Sequence, residues 1–189
     1  MDQGAFFTSS EERWVWIDLE MTGLNEDECV IIQAAMVITD CHLNELSCCD
    51  MVIWQPQRVL DTMPPFVREM HTKNGLLQQV QTSKVSVSEA QQKLMTTLTQ
   101  HVAYKKGILV GNSVYMDRRF LRRYMPSLES YLHYRQLDVS SIKTVCQGWY
   151  GDAGRAPKPP SSHTALEDIR ACIDELRFFQ KHCFRPPAK

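Results

Sequence analysis

The sequence predicts a single α/β domain, and its length and the order of its apolar segments are the two observations behind this prediction. With 189 residues, 43% hydrophobic and 23% charged, the chain can bury a core without disulfides or a structural metal. Three β-rich segments come first, and strands then alternate with helices. That order is typical of a mixed central sheet flanked by helices.

The first part of the chain is expected to form a meander of three strands. These segments are rich in aromatic and β-branched residues, are separated by polar turns, and occupy 14–20, 29–39 and 45–54. Trp14 to Ile17 are apolar on both faces of the first strand, as expected for a central position in a sheet.

Helical periodicity begins at Pro64. Helices are predicted at 65–70, at 88–101 with Ser88 as N-cap, at 114–124 ending before Pro126, from Ser140 onwards, and from Ser161 to Lys181. Two further strands are predicted between them, at 108–110 and 131–139. The glycines and prolines of 148–160 predict a mobile loop.

The ends of the chain bear on localisation. Residues 1–12 are expected to be a flexible leader, 13–184 the folded domain and 185–189 a tail. The leader has neither the basic and apolar regions of a secretory signal nor the Arg-rich pattern of a mitochondrial presequence, and no apolar run is long enough to span a membrane. These features predict an intracellular protein without a membrane segment, cytoplasmic as written, with mitochondria and nucleus as alternatives.

The seven cysteines show no C-x-x-C spacing, so free, reduced thiols are favoured over a metal or redox site.

The charges are distributed unevenly along the chain. Residues 1–50 hold 11 acids and one base, net −10, whereas 51–189 hold 11 acids and 20 bases, net +9. This asymmetry reflects either differently solvated faces or an acidic metal pocket beside a basic surface for an anionic substrate.

Two acids stand in the first predicted strand. Asp18 and Glu20 are two residues apart and project from the same side, because side chains alternate along a strand. One interpretation places both on the solvated face of an edge strand. If the strand is central, however, two converging carboxylates repel each other and resist burial, so a cation is expected between them.

The helix at 114–124 carries a third acid in an unusual place. Its four arginines, Arg118, Arg119, Arg122 and Arg123, fall within one arc, whereas Asp117 lies with the apolar side chains. Asp117 is therefore expected to point inward; the alternative is an N-cap role, for which Ser113 is better placed. The arginine face is either plain solvated surface or a surface for nucleic acid.

The last helix contributes Asp168, at the border of its apolar face, and His163 precedes that helix. Four carboxylates with one imidazole select hard cations such as Mg²⁺ or Mn²⁺ rather than Zn²⁺. Two such ions suit in-line displacement at a phosphodiester, and His163 is expected to be the general base that takes the proton of the attacking water.

These residues carry a resemblance. Asp18-x-Glu20, Asp117 and His163-x-x-x-x-Asp168 resemble the DEDDh 3′-to-5′ exonucleases. Longer motifs resemble the oligoribonucleases among them: Trp16-Ile17-Asp18-Leu19-Glu20-Met21-Thr22-Gly23-Leu24, Gly111-Asn112-Ser113, Tyr124-Met125-Pro126 and His133-Tyr134-Arg135-x-Leu137-Asp138-Val139-Ser140. The resemblance covers 13–184. It implies a ribonuclease H-like fold, two metal ions per site, a homodimer, and cleavage of very short single-stranded RNA, down to dinucleotides, into mononucleotides.

The resemblance also implies how so short a substrate is held. Leu24 is similar to an apolar wedge against one base, and Phe66 stands where the family has a tryptophan that stacks on the other. Ser113, together with Tyr134, Arg135 and Ser140 from the neighbouring subunit, resembles a cap on the 5′ phosphate. The alternative for these residues is turn and capping chemistry around Asp138.

Two departures from the family pattern bear on activity. Gln33 stands where a glutamate is usual, and Cys146-Gln147-Gly148-Trp149 replaces an Arg-rich segment. Two other functions therefore remain open. One is a catalytically silent nucleic-acid-binding protein that uses the arginine face, and the other is a DEDDh enzyme that acts on DNA or long RNA.

Overall fold

A computed structural model describes residues 12–157 and 164–185, and it contains the predicted mixed sheet. The strands are β1 (Arg13–Met21), β2 (Ile31–Asp40), β3 (Glu45–Val52), β4 (Ile108–Gly111) and β5 (Gln136–Asp138), in the order β3-β2-β1-β4-β5. β1 to β3 form the antiparallel meander, and β4 and β5 are parallel to β1. The central position expected for the first strand is confirmed.

Helices cover both faces of this sheet. They are α1 (Gln57–Leu60), α2 (Pro65–Lys73), α3 (Leu76–Thr82), α4 (Val87–His101), α5 (Tyr115–Tyr124), α6 (Pro126–Tyr131), α7 (Val139–Tyr150) and α8 (Ala165–His182). No helix within the described ranges is both long and apolar enough to cross a membrane. All seven cysteines are free thiols, as the sequence predicts.

The two faces of β1 belong to two different cores. Val15, Ile17 and Leu19 pack in a core with α4, α5 and α6, whereas Trp16 packs in the core that α7 and α8 cover. Because side chains alternate along a strand, Asp18 and Glu20 project on the same side as Trp16. The strand therefore directs both acids toward the layer that contains Asp168.

Several predicted helix ends are wrong. The N-cap of α4 is Ser86 rather than Ser88, because Ser86 and Glu89 form a reciprocal capping box. The predicted end of α5 at Tyr124 is correct, and Pro126 in addition begins the short helix α6, since proline fits the first helical turn. The final helix was expected to begin at Ser161, but α8 begins at Ala165, with Thr164 as its N-cap residue.

Two other segments also differ from prediction. The strand expected at 131–139 is confined to Gln136–Asp138. Tyr131 belongs to α6, and residues 132–135 have no regular secondary structure. The loop expected at 148–160 is partly helical: α7 continues to Tyr150, and a 3₁₀ turn follows at Gly151–Gly154. Ser161 and most of the predicted leader and tail lie outside the described residues.

Candidate active site

Three of the predicted acids meet at the carboxyl end of β1. One carboxylate oxygen from each of Asp18, Glu20 and Asp168 can be chosen so that the three atoms lie within 4.8 Å of one another. The convergence follows from the topology, since β1 presents the first two acids to the face that the first turn of α8 covers. These residues form the acidic cluster.

Asp117 approaches the same strand end from the first turn of α5. Its side chain is buried, and its Oδ1 accepts a hydrogen bond from the backbone N–H of Leu19 at 3.0 Å. Leu19 lies between Asp18 and Glu20 in β1, so this bond holds Asp117 beside the acidic cluster. The inward orientation expected from helical periodicity is therefore present. Val114, not Ser113, is the N-cap residue of α5.

Burial and mutual repulsion make these acids hard to ionise together. Burial, and then the charges of Asp117, Glu20 and Asp168, raise the pKa of Asp18 well above its ordinary value. Burial followed by repulsion from Asp168 and Asp117 raises the pKa of Glu20 to about 7. Burial is also the main cause that raises the pKa of Asp117 to about 7.

The donor set fits a hard divalent cation. The four side chains offer only carboxylate oxygens, which Mg²⁺ and Mn²⁺ prefer. A cation bound among them would favour the ionised form of every carboxylate, and so would offset the burial and repulsion that raise their pKa values. The chain thus offers an arrangement whose charge is balanced by metal binding.

The raised pKa values predict how stability depends on pH. Without divalent cations, Glu20 and Asp117 keep their protons up to about pH 7 in the folded state, whereas unfolded carboxyls release theirs near pH 4. The folded state binds more protons in that window, so its stability falls as pH rises, by about 1.4 kcal/mol per pH unit for each such group.

Calorimetric melting in EDTA or Mn²⁺ at about pH 5 and about pH 8 checks this expectation. In EDTA the melting temperature should be lower at the higher pH, and Mn²⁺ should raise it mainly there. Equal melting temperatures in EDTA and an equal response to Mn²⁺ at both pH values would contradict it.

His71 is a residue of this region that the sequence did not reveal. Its buried ring donates from Nε2 to the carbonyl oxygen of Met21 at 3.1 Å, and its Nδ1 lies 4.0 Å from Oε2 of Glu20. That Nδ1 has no hydrogen-bond partner among the described residues, and burial lowers the pKa of the ring. The contact ties α2 to the end of β1; a lone histidine in a helix carries no local signal of it.

The two apolar residues expected to hold bases are both exposed. Leu24 follows the end of β1 and is 67% exposed, and Phe66 lies in the first turn of α2 and is 76% exposed. The contact between His71 and Met21 brings α2 to the strand end that carries Glu20. Both side chains therefore offer exposed apolar surface, Leu24 just after the strand that carries the acids and Phe66 on the helix that His71 joins to that strand.

Ser113 and Ser140 lie together within one chain. The N–H of Ser113, which has a left-handed φ of 49°, donates to Oδ1 of Asp138 and to Oγ of Ser140, each at 3.1 Å. Asp138 also accepts from the N–H of Ser140 and so caps α7. The turn and capping chemistry weighed as an alternative is thus present. Ser140 was expected from the neighbouring subunit, but the parallel pairing of β4 and β5 places it beside Ser113 of its own chain.

Tyr134 and Arg135 lie elsewhere. They precede β5, whereas Asp138, whose carboxylate binds the N–H groups of Ser113 and Ser140, ends it. The Tyr134 ring is 72% exposed, and its hydroxyl accepts a hydrogen bond from Nε of Arg135 at 3.0 Å. Within one chain these two side chains lie at the opposite end of the edge strand from Ser113.

The arginine face of α5 is not an open basic surface. Arg118 is buried, although periodicity grouped it with exposed residues. The other three form ion pairs: Arg119 with Glu26, Arg122 with Glu129 and Arg123 with Asp27. Glu26 and Asp27 from the early part of the chain, with Glu129 from α6, therefore offset much of the positive charge, which weakens the arginine face as a motive for a silent nucleic-acid-binding protein.

Gln33 has a local explanation. It is buried opposite Glu20 in the β1–β2 pairing, and its Nε2 donates to Oδ1 of Asp50 at 3.0 Å. A glutamate here would bring a third carboxylate between two acids. We expect Gln33→Glu to lower the free energy of unfolding in EDTA by about 1 to 3 kcal/mol, because a hydrogen bond is exchanged for repulsion.

Urea unfolding of wild type and Gln33→Glu measures that difference, and Gln92→Glu, an exposed change in α4, serves as the control. Equal or greater stability of Gln33→Glu in EDTA would contradict the expectation.

Of the other predicted residues, His163 lies outside the described residues, and Trp149 is exposed near the end of α7 remote from Ser140.

Comparison with known proteins places this site in a family. A family model described as an exonuclease, RNase T, matches residues 15–176. Oligoribonuclease from Chromobacterium violaceum is 42% identical over 169 residues, which are 89% of this chain and 93% of that protein. Oligoribonuclease from Marinobacter nauticus is 42% identical over 178 residues, 94% of this chain and 99% of that protein.

Solved structures show the same fold at lower identity. Exonuclease I from Escherichia coli, in complex with a 5cy-dT13 oligonucleotide, superposes with a TM-score of 0.70 at 15% identity, over 92% of this chain and 41% of that one. Exonuclease I from Methylocaldum szegediense gives 0.68 at 16% identity, over 91% and 41%. The likeness confirms an α/β exonuclease fold of the ribonuclease H type. The fold, the acidic cluster and the match to relatives over nearly their full length lead to one conclusion. The chain belongs to the oligoribonuclease family of metal-dependent exonucleases.

Proposed function

We propose that this protein is a 3′-to-5′ exoribonuclease that degrades very short oligoribonucleotides, including dinucleotides, to mononucleotides. The observation that carries the proposal is the convergence of Asp18, Glu20 and Asp168, with Asp117 held against the same strand by Leu19. Exposed Leu24 and the Ser113–Ser140 pair provide apolar and hydroxyl surfaces suited to a base and a phosphate.

In this proposal the four carboxylates hold two Mg²⁺ or Mn²⁺ ions. The ions would lower the pKa of the attacking water and stabilise the leaving oxygen. The protein's own part is to orient these oxygens, which the bond between Leu19 and Asp117 and the position of Asp168 at the start of α8 support. His163, five residues before Asp168, is proposed to take the proton of the water.

The length of the substrate is proposed to be limited by contacts to its bases and by contacts to its 5′ phosphate. Leu24 and Phe66 would contact the bases, and Ser113 with Ser140 would contact the 5′ phosphate. Tyr134 and Arg135 precede β5, whereas the serine pair lies at the other end of this strand, and we assign the two residues to the site of the neighbouring subunit of a homodimer. Such a cap would leave room for only a few nucleotides between the 5′ phosphate and the acidic cluster. The proposed substrate is therefore short single-stranded RNA, and the proposed location is inside the cell.

The test is turnover of 5′-labelled RNAs about two to seven nucleotides long, with EDTA, Mg²⁺ or Mn²⁺. We expect metal-dependent release of mononucleotides, fastest for the shortest substrates. No cleavage with any metal would favour the silent binding protein, and a rate that does not fall with length, or an equal rate on DNA, would favour the enzyme of DNA or long RNA.

A further inference from the structure

Two consecutive residues of α5 point to two different parts of the proposed site. Asp117 bonds to Leu19 beside the acidic cluster, whereas Arg118 points to the segment between α6 and β5. The side chain of Arg118 is only 7% exposed. Its Nη2 donates to the carbonyl oxygen of His133 at 2.8 Å, and its Nη1 donates to those of Tyr134 at 2.9 Å and Arg135 at 3.3 Å.

The segment that receives these bonds has no regular secondary structure. Residues 132–135 belong to no helix or strand, but the N–H of His133 donates to the carbonyl oxygen of Gly107 at 2.9 Å, and the N–H of Arg135 donates to Nδ1 of His133 at 3.0 Å. Their three successive carbonyls turn inward to one guanidinium, and the Tyr134 ring and Arg135 side chain lie outward and exposed. Arg118 therefore binds the carbonyls of the same two residues, Tyr134 and Arg135, whose side chains are exposed.

The guanidinium is itself held in place. Its Nε donates to Oε1 of Glu129 at 2.9 Å, and Glu129 is mostly buried. Burial raises the pKa of Glu129, but hydrogen bonds from Arg118 and Arg122 outweigh that effect and lower it. Arg118 thus makes four bonds, one to the carboxylate of Glu129 and three to carbonyl oxygens, and the three donors of a lysine ammonium cannot reproduce this set.

We propose that Arg118 is a positioning residue for substrate recognition: it fixes the backbone that presents Tyr134 and Arg135 and thereby sets the affinity for the 5′ phosphate. This inference rests on the proposed function and deepens it. It also makes α5 a link between two subunits, because one turn of the helix orients a metal ligand of its own site and the cap of the neighbouring site.

The experiment compares a diribonucleotide with and without a 5′ phosphate in wild type and Arg118→Lys. We expect the variant to raise KM for the phosphorylated substrate about tenfold, to leave its kcat within about twofold, and to change KM for the unphosphorylated one little. Arg122→Lys is the matched control, since Arg122 shares Glu129 but is exposed and lies outside the set that binds the three carbonyls.

A second comparison separates positioning from general stability. In the background of Arg135→Gln, Arg118→Lys should add little further loss, because both act through one contact. If Arg118→Lys folds poorly, Glu129→Gln loosens the same anchor and should raise KM for the phosphorylated substrate severalfold.

Three results would overturn the inference: equal losses in kcat for both substrates, additive effects with Arg135→Gln, or an active wild type that does not prefer the 5′ phosphate. A wild type that cleaves neither substrate would instead refute the proposed function.

Discussion

Asp117→Asn is expected to lower kcat for a diribonucleotide by about a thousand-fold or more, because losing one ligand of the acidic site removes several kcal/mol of transition-state stabilisation. The substitution tests the charge alone, because the amide oxygen can still accept a hydrogen bond from the N–H of Leu19, as the carboxylate does at 3.0 Å. Only the charge and the ability to bind a cation are lost. Single-turnover cleavage of labelled substrate in Mg²⁺ and in Mn²⁺ measures the effect.

Its control is Asp174→Asn, which removes an exposed acid of α8 that pairs with Arg177. That variant should keep wild-type turnover. In EDTA, Asp117→Asn should be at least as stable as wild type, because a buried group with a raised pKa no longer has to ionise. Retention of more than about a tenth of wild-type kcat, with the fold intact, would refute the role assigned to Asp117.

Mixing two inactive variants is expected to restore activity if the cap comes from the neighbouring subunit. One variant is Asp117→Asn, which lacks the metal ligand, and the other is Tyr134→Ala combined with Arg135→Ala, which lacks the cap. A heterodimer of the two contains one complete site. With a 5′-phosphorylated substrate far below its KM, about a quarter of wild-type activity should appear after subunit exchange at equal amounts, whereas Asp117→Asn alone should be near background and the cap variant alone at about a tenth or less.

A chain that carries all three substitutions, mixed equally with wild type, provides the matched control. With a cap in trans its heterodimers have no complete site, so about a quarter of the activity should remain. With a cap in cis, about half should remain, and the two single-defect variants should show no recovery. Sedimentation of each sample establishes whether dimers form, and a monomeric active wild type would contradict the homodimer.

The acidic residues could be predicted because their signals are local. Asp18 and Glu20 stand two apart in an apolar strand, and Asp117 falls on the apolar side of a helix; both patterns follow from backbone periods of two and 3.6 residues. The same rule failed one residue later. It placed Arg118 with exposed arginines, because nothing nearby in sequence reveals that the segment at 133–135 packs against α5.

Short elements were also beyond local reasoning. α1, α3 and α6 were not predicted, and β5 has three residues where nine were expected, because the length of such elements depends on what packs against them. The position of Ser140 beside Ser113 follows from the pairing of Gly111 with Asp138, which is a long-range contact. His71 shows no pattern in the sequence and was found only by its distance to Glu20.

The sequence alone determined the α/β class, the central first strand, the acidic residues and the family, since each depends on periodicity or on an uninterrupted motif. Only the tertiary structure decided that Arg118 binds the segment of Tyr134 and Arg135, that Glu26 and Asp27 pair with arginines of α5, and that Ser140 lies beside Ser113 of its own chain. These relations join residues far apart in the chain, and their geometry depends on how the layers pack.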